Sequence, residues 1–185
     1  MNNYTVGTSA RSTEHIMGFG TANLYGALVS IPIAAILLIP YLLVWGNNLI
    51  PFEFDLFYAF VVLVTGIVIH ELLHGFAWAL YAKSGVKSIK FGMKWKYLTP
   101  YCHCREPLRV KHYRIGAAMP MVALGLIPTA IALITGNGPM FLFGFVFTIA
   151  AAGDVIALIT LYSFDADDWV LDHPDEVGFI SFSAE

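Results

Sequence analysis

Charge is what this chain has least of. Only 12% of its residues are Asp, Glu, Lys or Arg, against about 25% in soluble proteins. With 58% of residues hydrophobic, an ordinary soluble domain is excluded. The net charge is only −3, which gives no indication of a nucleic-acid partner. Cysteine is scarce as well: Cys102 and Cys104 are the two present, too few for a disulfide framework. There is no internal repeat and no low-complexity tract, and 185 residues suffice for one domain.

What is present is long apolar sequence. Four blocks approach the roughly 20 residues that a membrane helix needs, at about 22–45, 56–81, 115–134 and 140–162. The first carries Pro32 and Pro40 and no charged residue. Membrane helices tolerate such prolines. The block is too long for a signal-peptide core and lacks basic residues before it. The third block is interrupted by Pro120 and Pro128. The expected fold is an all-α membrane protein of four transmembrane helices. Residues 1–21 form a polar N-terminus, 22–163 the membrane domain and 164–185 an acidic tail.

Nine of the ten Lys and Arg fall between positions 83 and 114, in the loop 82–114 between spans two and three. The positive-inside rule places that loop in the cytoplasm, and both termini with it. The expected location is a multi-pass position in the cell membrane. The tail from Asp165 onward holds seven of the thirteen acidic residues and reads as a solvated segment able to pack on the basic loop. Within the loop, "VKSIKFGMKWKYL" (86–98) alternates apolar and basic residues, with Ile89, Phe91, Met93, Trp95 and Tyr97 on one side. Period two predicts a small cytoplasmic β-hairpin between helices 2 and 3, with Gly92 at a bulge or turn. Such a strand either closes the cytoplasmic face or docks substrate by strand addition.

Inside the spans, away from their ends, stand four ionisable or metal-binding side chains: His70, Glu71, His74 and Asp154. Such residues in a membrane are functional by default. His70 and His74 lie four positions apart in "HELLH", so one helix face presents both to one metal. Glu71 sits beside them, placed to take a proton from an activated water. Catalytic zinc usually takes three protein ligands and leaves a position for water. Asp154, in "AGDV", is the remaining carboxylate well inside a span. His74 lies nine residues before Lys83 and Asp154 eleven before Asp165. Both therefore lie roughly 13–17 Å from the cytoplasmic boundary at ~1.5 Å per residue. Gly153 is expected to let the fourth helix come close.

Taken in order, "HELLHG", "PYCHCREPL", "AAMPMVALGLIP", "GD" and "VLDHP" resemble the zincin peptidase family known by its domain of unknown function 3267. The resemblance covers about 60–180 and implies a membrane metallopeptidase marked by HExxH and Gly-Asp. More distantly, the layout is similar to the site-2 protease class, which places two His on one span and an Asp on a later one. Here Asp154 follows its glycine, in "AGDV", whereas that class carries Asp-Gly.

Other residues stand near these marks. Cys102, His103 and Cys104 alternate sides on a strand and do not close one metal site; they read as loop residues near the site mouth. His112 and Arg114 read as interfacial anchors of span three. Asp172 and His173, before Pro174, cap the site, orient a ligand or stabilise a turn. His15 has no supporting neighbours in the sequence. Pro120, six residues into span three, is a place for a kink that admits water or substrate.

The reading is an intramembrane zinc metallopeptidase. Zn²⁺ is held by His70, His74 and Asp154, Glu71 is the base, and the substrate is a membrane-embedded or membrane-associated protein. Two other classes stay open. One is a non-catalytic metal-binding or sensing protein with a closed site that adds His173 or Cys104. The other is a small transporter or proton relay.

Overall fold

A computed structural model of the chain describes residues 11–46, 55–95, 99–173 and 177–183. Tyr97, expected on the apolar side of the hairpin, and Pro174, expected to extend the chain after His173, lie outside the described residues. The order is β1 (Arg11–Met17), α1 (Phe19–Trp45), α2 (Leu56–Ala79), a 3-10 turn (Gly85–Ser88), β2 (Ile89–Lys94), β3 (Thr99–Cys104) and β4 (Leu108–Arg109). Next come α3 (Val110–Pro120), a π-helical turn (Met121–Leu126), α4 (Ile127–Thr135), α5 (Gly138–Ala150), α6 (Ala152–Leu161), β5 (Trp169–Asp172) and β6 (Val177–Ser183).

Three helical stretches are long and apolar enough to cross a membrane: Gly20–Trp45, Leu56–Ala79 and Val110–Thr135. The pair α5 and α6 makes a fourth only if taken as one span, because it bends by 48° at Ala151. Their outward faces carry large apolar side chains such as Ile36, Leu43 and Phe57, all exposed in the isolated chain. A bilayer is the solvent those faces suit, since every backbone group within a helix is already paired.

Local chemistry sets the ends. Asp55 caps α2, its carboxylate accepting from the Tyr58 amide at 3.0 Å. Gly136 closes α4 in the left-handed region at φ 71°. One residue on, the Asn137 side chain accepts from the Met140 amide at 2.9 Å and starts α5. That pair of caps makes a tight reversal, and the returning α5 packs on α4 and on the π turn. A Cβ on Gly144 would stand 2.7 Å from the Gly125 carbonyl oxygen. Small residues here let two backbones touch.

The expectation of one hairpin as the sole β-structure needs correction. The β2–β3 hairpin is present, antiparallel, with Gly92 opposite Tyr101 in unbroken register. Gly92 is therefore neither a bulge nor a turn; it makes room for the Tyr101 ring, which would lie 2.4 Å from an added Cβ. A second, four-stranded antiparallel sheet runs in the order β1-β6-β5-β4. It ties the polar N-terminal segment to the acidic C-terminal one, a pairing across about the whole chain that local periodicity does not signal. β4 belongs to the basic loop, and there Lys111 and Asp167 form an exposed ion pair at 2.6 Å. Arg109 lies 4.1 Å over the Trp169 ring. Arg114 donates to the Leu161 and Phe164 carbonyls at 2.6 and 2.9 Å, a cation satisfying the end of α6.

Two cores result. One joins Tyr41, Ala132 and Phe141 between α1, α4 and α5. The other joins Trp78, Cys104, Leu108, Val110, Tyr113, Leu161, Val170 and Phe179, where the ends of the helices meet the sheet. The site described next lies beside this second core.

Candidate metal centre

His70 and His74 lie one turn apart on α2, and the helix repeat points both rings to one side. Asp154 stands in the first turn of α6, just after the bend at Ala151. The two histidine Nε2 atoms are 3.2 Å apart. Asp154 Oδ2 is 3.2 Å from His70 Nε2, and Oδ1 is 3.3 Å from His74 Nε2. Ligands ~2.0–2.2 Å from one tetrahedral ion stand ~3.3–3.6 Å apart, so these separations suit a shared cation. Among the described residues these three form the group able to hold a metal.

One further observation favours an ion. Asp154 Oδ2 is a buried oxygen with no hydrogen-bond partner among the described residues. Its 3.2 Å contact with His70 Nε2 lacks hydrogen-bond geometry; a buried carboxylate oxygen without a hydrogen bond is costly, and a cation between it and the two imidazoles removes the cost. Two imidazoles and one carboxylate are also a zinc donor set.

The orientation of His74 is fixed from behind. Its Nδ1 donates to the Gly116 carbonyl on α3 at 2.9 Å, leaving the Nε2 lone pair for the cluster. A Cβ on Gly116 would fall 2.0 Å from Trp78 Nε1, so only glycine brings α3 this near α2. Trp78, one turn beyond His74, stacks on its ring at 5.2 Å and donates Nε1–H to the Tyr113 carbonyl at 3.1 Å. Sequence reasoning missed Trp78, Tyr113 and Gly116. The His70, His74, Trp78 spacing of i, i+4, i+8 was a signal for the tryptophan; nothing local pointed to the glycine.

A cavity of about 570 Å³ opens on the cluster, within the usual range for small-molecule sites. His70, Glu71, His74 and Asp154 line it, together with residues of β1, β3 and β6. Glu71 meets the backbone N–H of Cys102 on β3. His103, Asp172 and His173 also line the cavity. His103 Nδ1 is 3.0 Å from Asp172 Oδ2. Both cysteines lie on β3 rather than in a loop, and burial pushes both thiols up. Cys104 is packed in the second core, away from the metal cluster. Pro120 is buried at the end of α3 and does not line the cavity.

Two expectations fail here. Gly153 does not mediate helix contact: an added Cβ would meet nothing within 4 Å, and the residue faces the cavity instead. The reason is its place in the first turn after the bend, which swings that face of α6 off its neighbours. His15 is not isolated. Its Nε2 lies 2.9 Å from Ser181 Oγ, and its ring stacks on Phe179 at 5.1 Å.

Three to four helices long and apolar enough to cross a membrane, with a His-His-Asp cluster and an adjacent glutamate at a cavity, define a class: proteins of apolar helices with a candidate metal centre. The model of the family described as "Putative zincin peptidase" matches residues 62–169, more than half of the chain, and the chain belongs to that family. The matched stretch contains His70, Glu71, His74 and Asp154. Neither a curated protein nor a solved structure matched the sequence.

Proposed function

We propose that this protein is an intramembrane zinc metallopeptidase acting on membrane-embedded or membrane-associated proteins. The observation that carries the reading is the convergence of His70, His74 and Asp154 on one point beside Glu71. A zinc ion held by these three residues would supply Lewis acidity, polarising a peptide carbonyl and lowering the pKa of a coordinated water towards ~7. Glu71 accepts a proton from the attacking water and returns it to the leaving nitrogen as the C–N bond breaks. His74 keeps its ligating nitrogen forward because Nδ1 is engaged by Gly116.

The same reading places the basic loop and both termini on the cytoplasmic side of the cell membrane, with α5 and α6 together forming the fourth span. The site then lies below the membrane surface, and the sheet and hairpin lie at its cytoplasmic end.

The test is a metal analysis of purified protein paired with Glu71→Gln. The variant keeps size and all three ligands but has no base. Zinc should stay near one per chain, while cleavage of dye-labelled casein in detergent micelles falls by ~10² or more. A Glu71→Gln protein as active as the wild type would refute the mechanism.

A further inference from the structure

Outside the metal cluster, Asp172 gathers three donors. Its Oδ2 accepts from His103 Nδ1 at 3.0 Å and from the Cys104 amide at 3.3 Å. Its Oδ1 accepts the Tyr113 hydroxyl at 2.9 Å. A carboxylate so held is fixed in place, and it fixes the His103 ring in turn. His103 and Asp172 are 12% and 15% exposed, and both line the cavity of the metal cluster.

The two groups are tied by one continuous column of side chains. His74 stacks on Trp78 at 5.2 Å, and Trp78 stacks on Tyr113 at 5.0 Å. Trp78 and Tyr113 are also joined by the indole N–H to carbonyl bond. Tyr113 then holds Asp172, and Asp172 holds His103. The position of His103 relative to a metal ligand is thus set by stacked rings and charged hydrogen bonds, a rigid support of the kind reacting groups need. A pairing that served only to fasten β5 to β3 would need the Cys104 amide and not an imidazole at the cavity wall.

We infer that His103, held by Asp172, is a further catalytic residue of the peptidase reaction, donating a hydrogen bond from Nε2 to the oxygen of the scissile carbonyl as it gains charge. The inference rests on the peptidase reading above. Nδ1–H is committed to Asp172, which leaves Nε2 as the ring nitrogen free to meet the substrate. When water adds to the carbonyl carbon, the C=O π pair moves onto oxygen, and that is where the donor acts. His103 transfers no proton; Glu71 carries the proton from water to the leaving nitrogen. A donor aimed where charge develops contributes most in a cavity that excludes water.

Three variants test it with the zinc-loaded protein and dye-labelled casein. His103→Phe fills the space without a donor, and kcat should fall ~10²-fold or more, with KM and zinc content unchanged. His103→Gln keeps an N–H and should recover at least a tenfold part of that loss. Asp172→Asn, which can still pair with Tyr113 and Cys104, should lower kcat about tenfold. A phosphinic isostere of the cleaved casein bond should lose affinity in the same proportions as kcat/KM, a pattern that a packing role would not give. If wild-type protein cleaves and His103→Phe cleaves equally well, this inference falls alone. If Phe and Gln lose activity equally, or Asp172→Asn loses none, it falls as well. Should His103→Phe not fold, the Asp172→Asn and His103→Gln results decide. A zinc-loaded wild type that cleaves nothing removes the peptidase reading and this inference together.

Discussion

Gly116→Ala should weaken zinc binding without touching a ligand. The added methyl carbon would fall 2.0 Å from Trp78 Nε1 and 2.1 Å from Trp78 Cδ1, both well inside van der Waals contact. Trp78 is 5% exposed and stacked between His74 and Tyr113, so its ring has nowhere to go. Either α3 moves off α2 or the indole leaves the stack. The first lengthens the 2.9 Å bond from His74 to the Gly116 carbonyl; the second removes the ring that His74 rests on. Overpacking of this kind costs about 1–3 kcal/mol of stability. Loss of the carbonyl that orients a ligating His costs about 10- to 100-fold in metal affinity. The control is Gly153→Ala, next to a ligand yet with nothing within 4 Å of the new carbon. It should bind zinc as the wild type does and be more stable by about 0.5–1 kcal/mol, the ordinary helical gain. Zinc affinity by competition with a chromophoric chelator, and Tm in the same detergent, read both effects. Equal zinc affinity in Gly116→Ala and wild type would show that the carbonyl does not orient His74.

Other expectations follow from the same geometry. Asp154→Ala removes the carboxylate that bridges α6 to both histidines, and bound zinc should fall well below one per chain by mass spectrometry; full retention would dismiss Asp154 as a ligand. Cys104 is fully buried and its thiol is pushed up by burial, so maleimide at pH 7.5 should label it only after denaturation. Rapid labelling of the native protein would contradict its place in the core. A cysteine placed at position 94 or 96, in a background lacking the native pair, should react from the cytoplasmic side; reaction from outside would invert the proposed topology.

How much of this was legible beforehand depends on the range of the interactions. A membrane class rests on the length of uncharged apolar runs, and a hairpin after the second helix and the pairing of His70 with His74 rest on periods of 2 and 3.6 within short windows. Asp154 could be singled out because apolar sequence contains so few carboxylates. The four-stranded sheet could not be read, since β1 pairs with β6 across most of the chain and neither strand alternates clearly enough alone.

The residues that aim the site belong to the same long-range category. Which side chains are expensive to bury and which share a helix face can be read along the chain, because burial cost and helical spacing are local properties. Packing in three dimensions is what brings a glycine carbonyl from α3 to orient His74, and what makes Trp78 and Tyr113 join it to Asp172 and His103. It also decided that Gly153 opens space rather than closing it. A carbonyl has the same chemistry in every residue, and the direction of a helix after a bend depends on its neighbours. Position alone gives such groups their role, and position is set by packing between segments far apart in the chain.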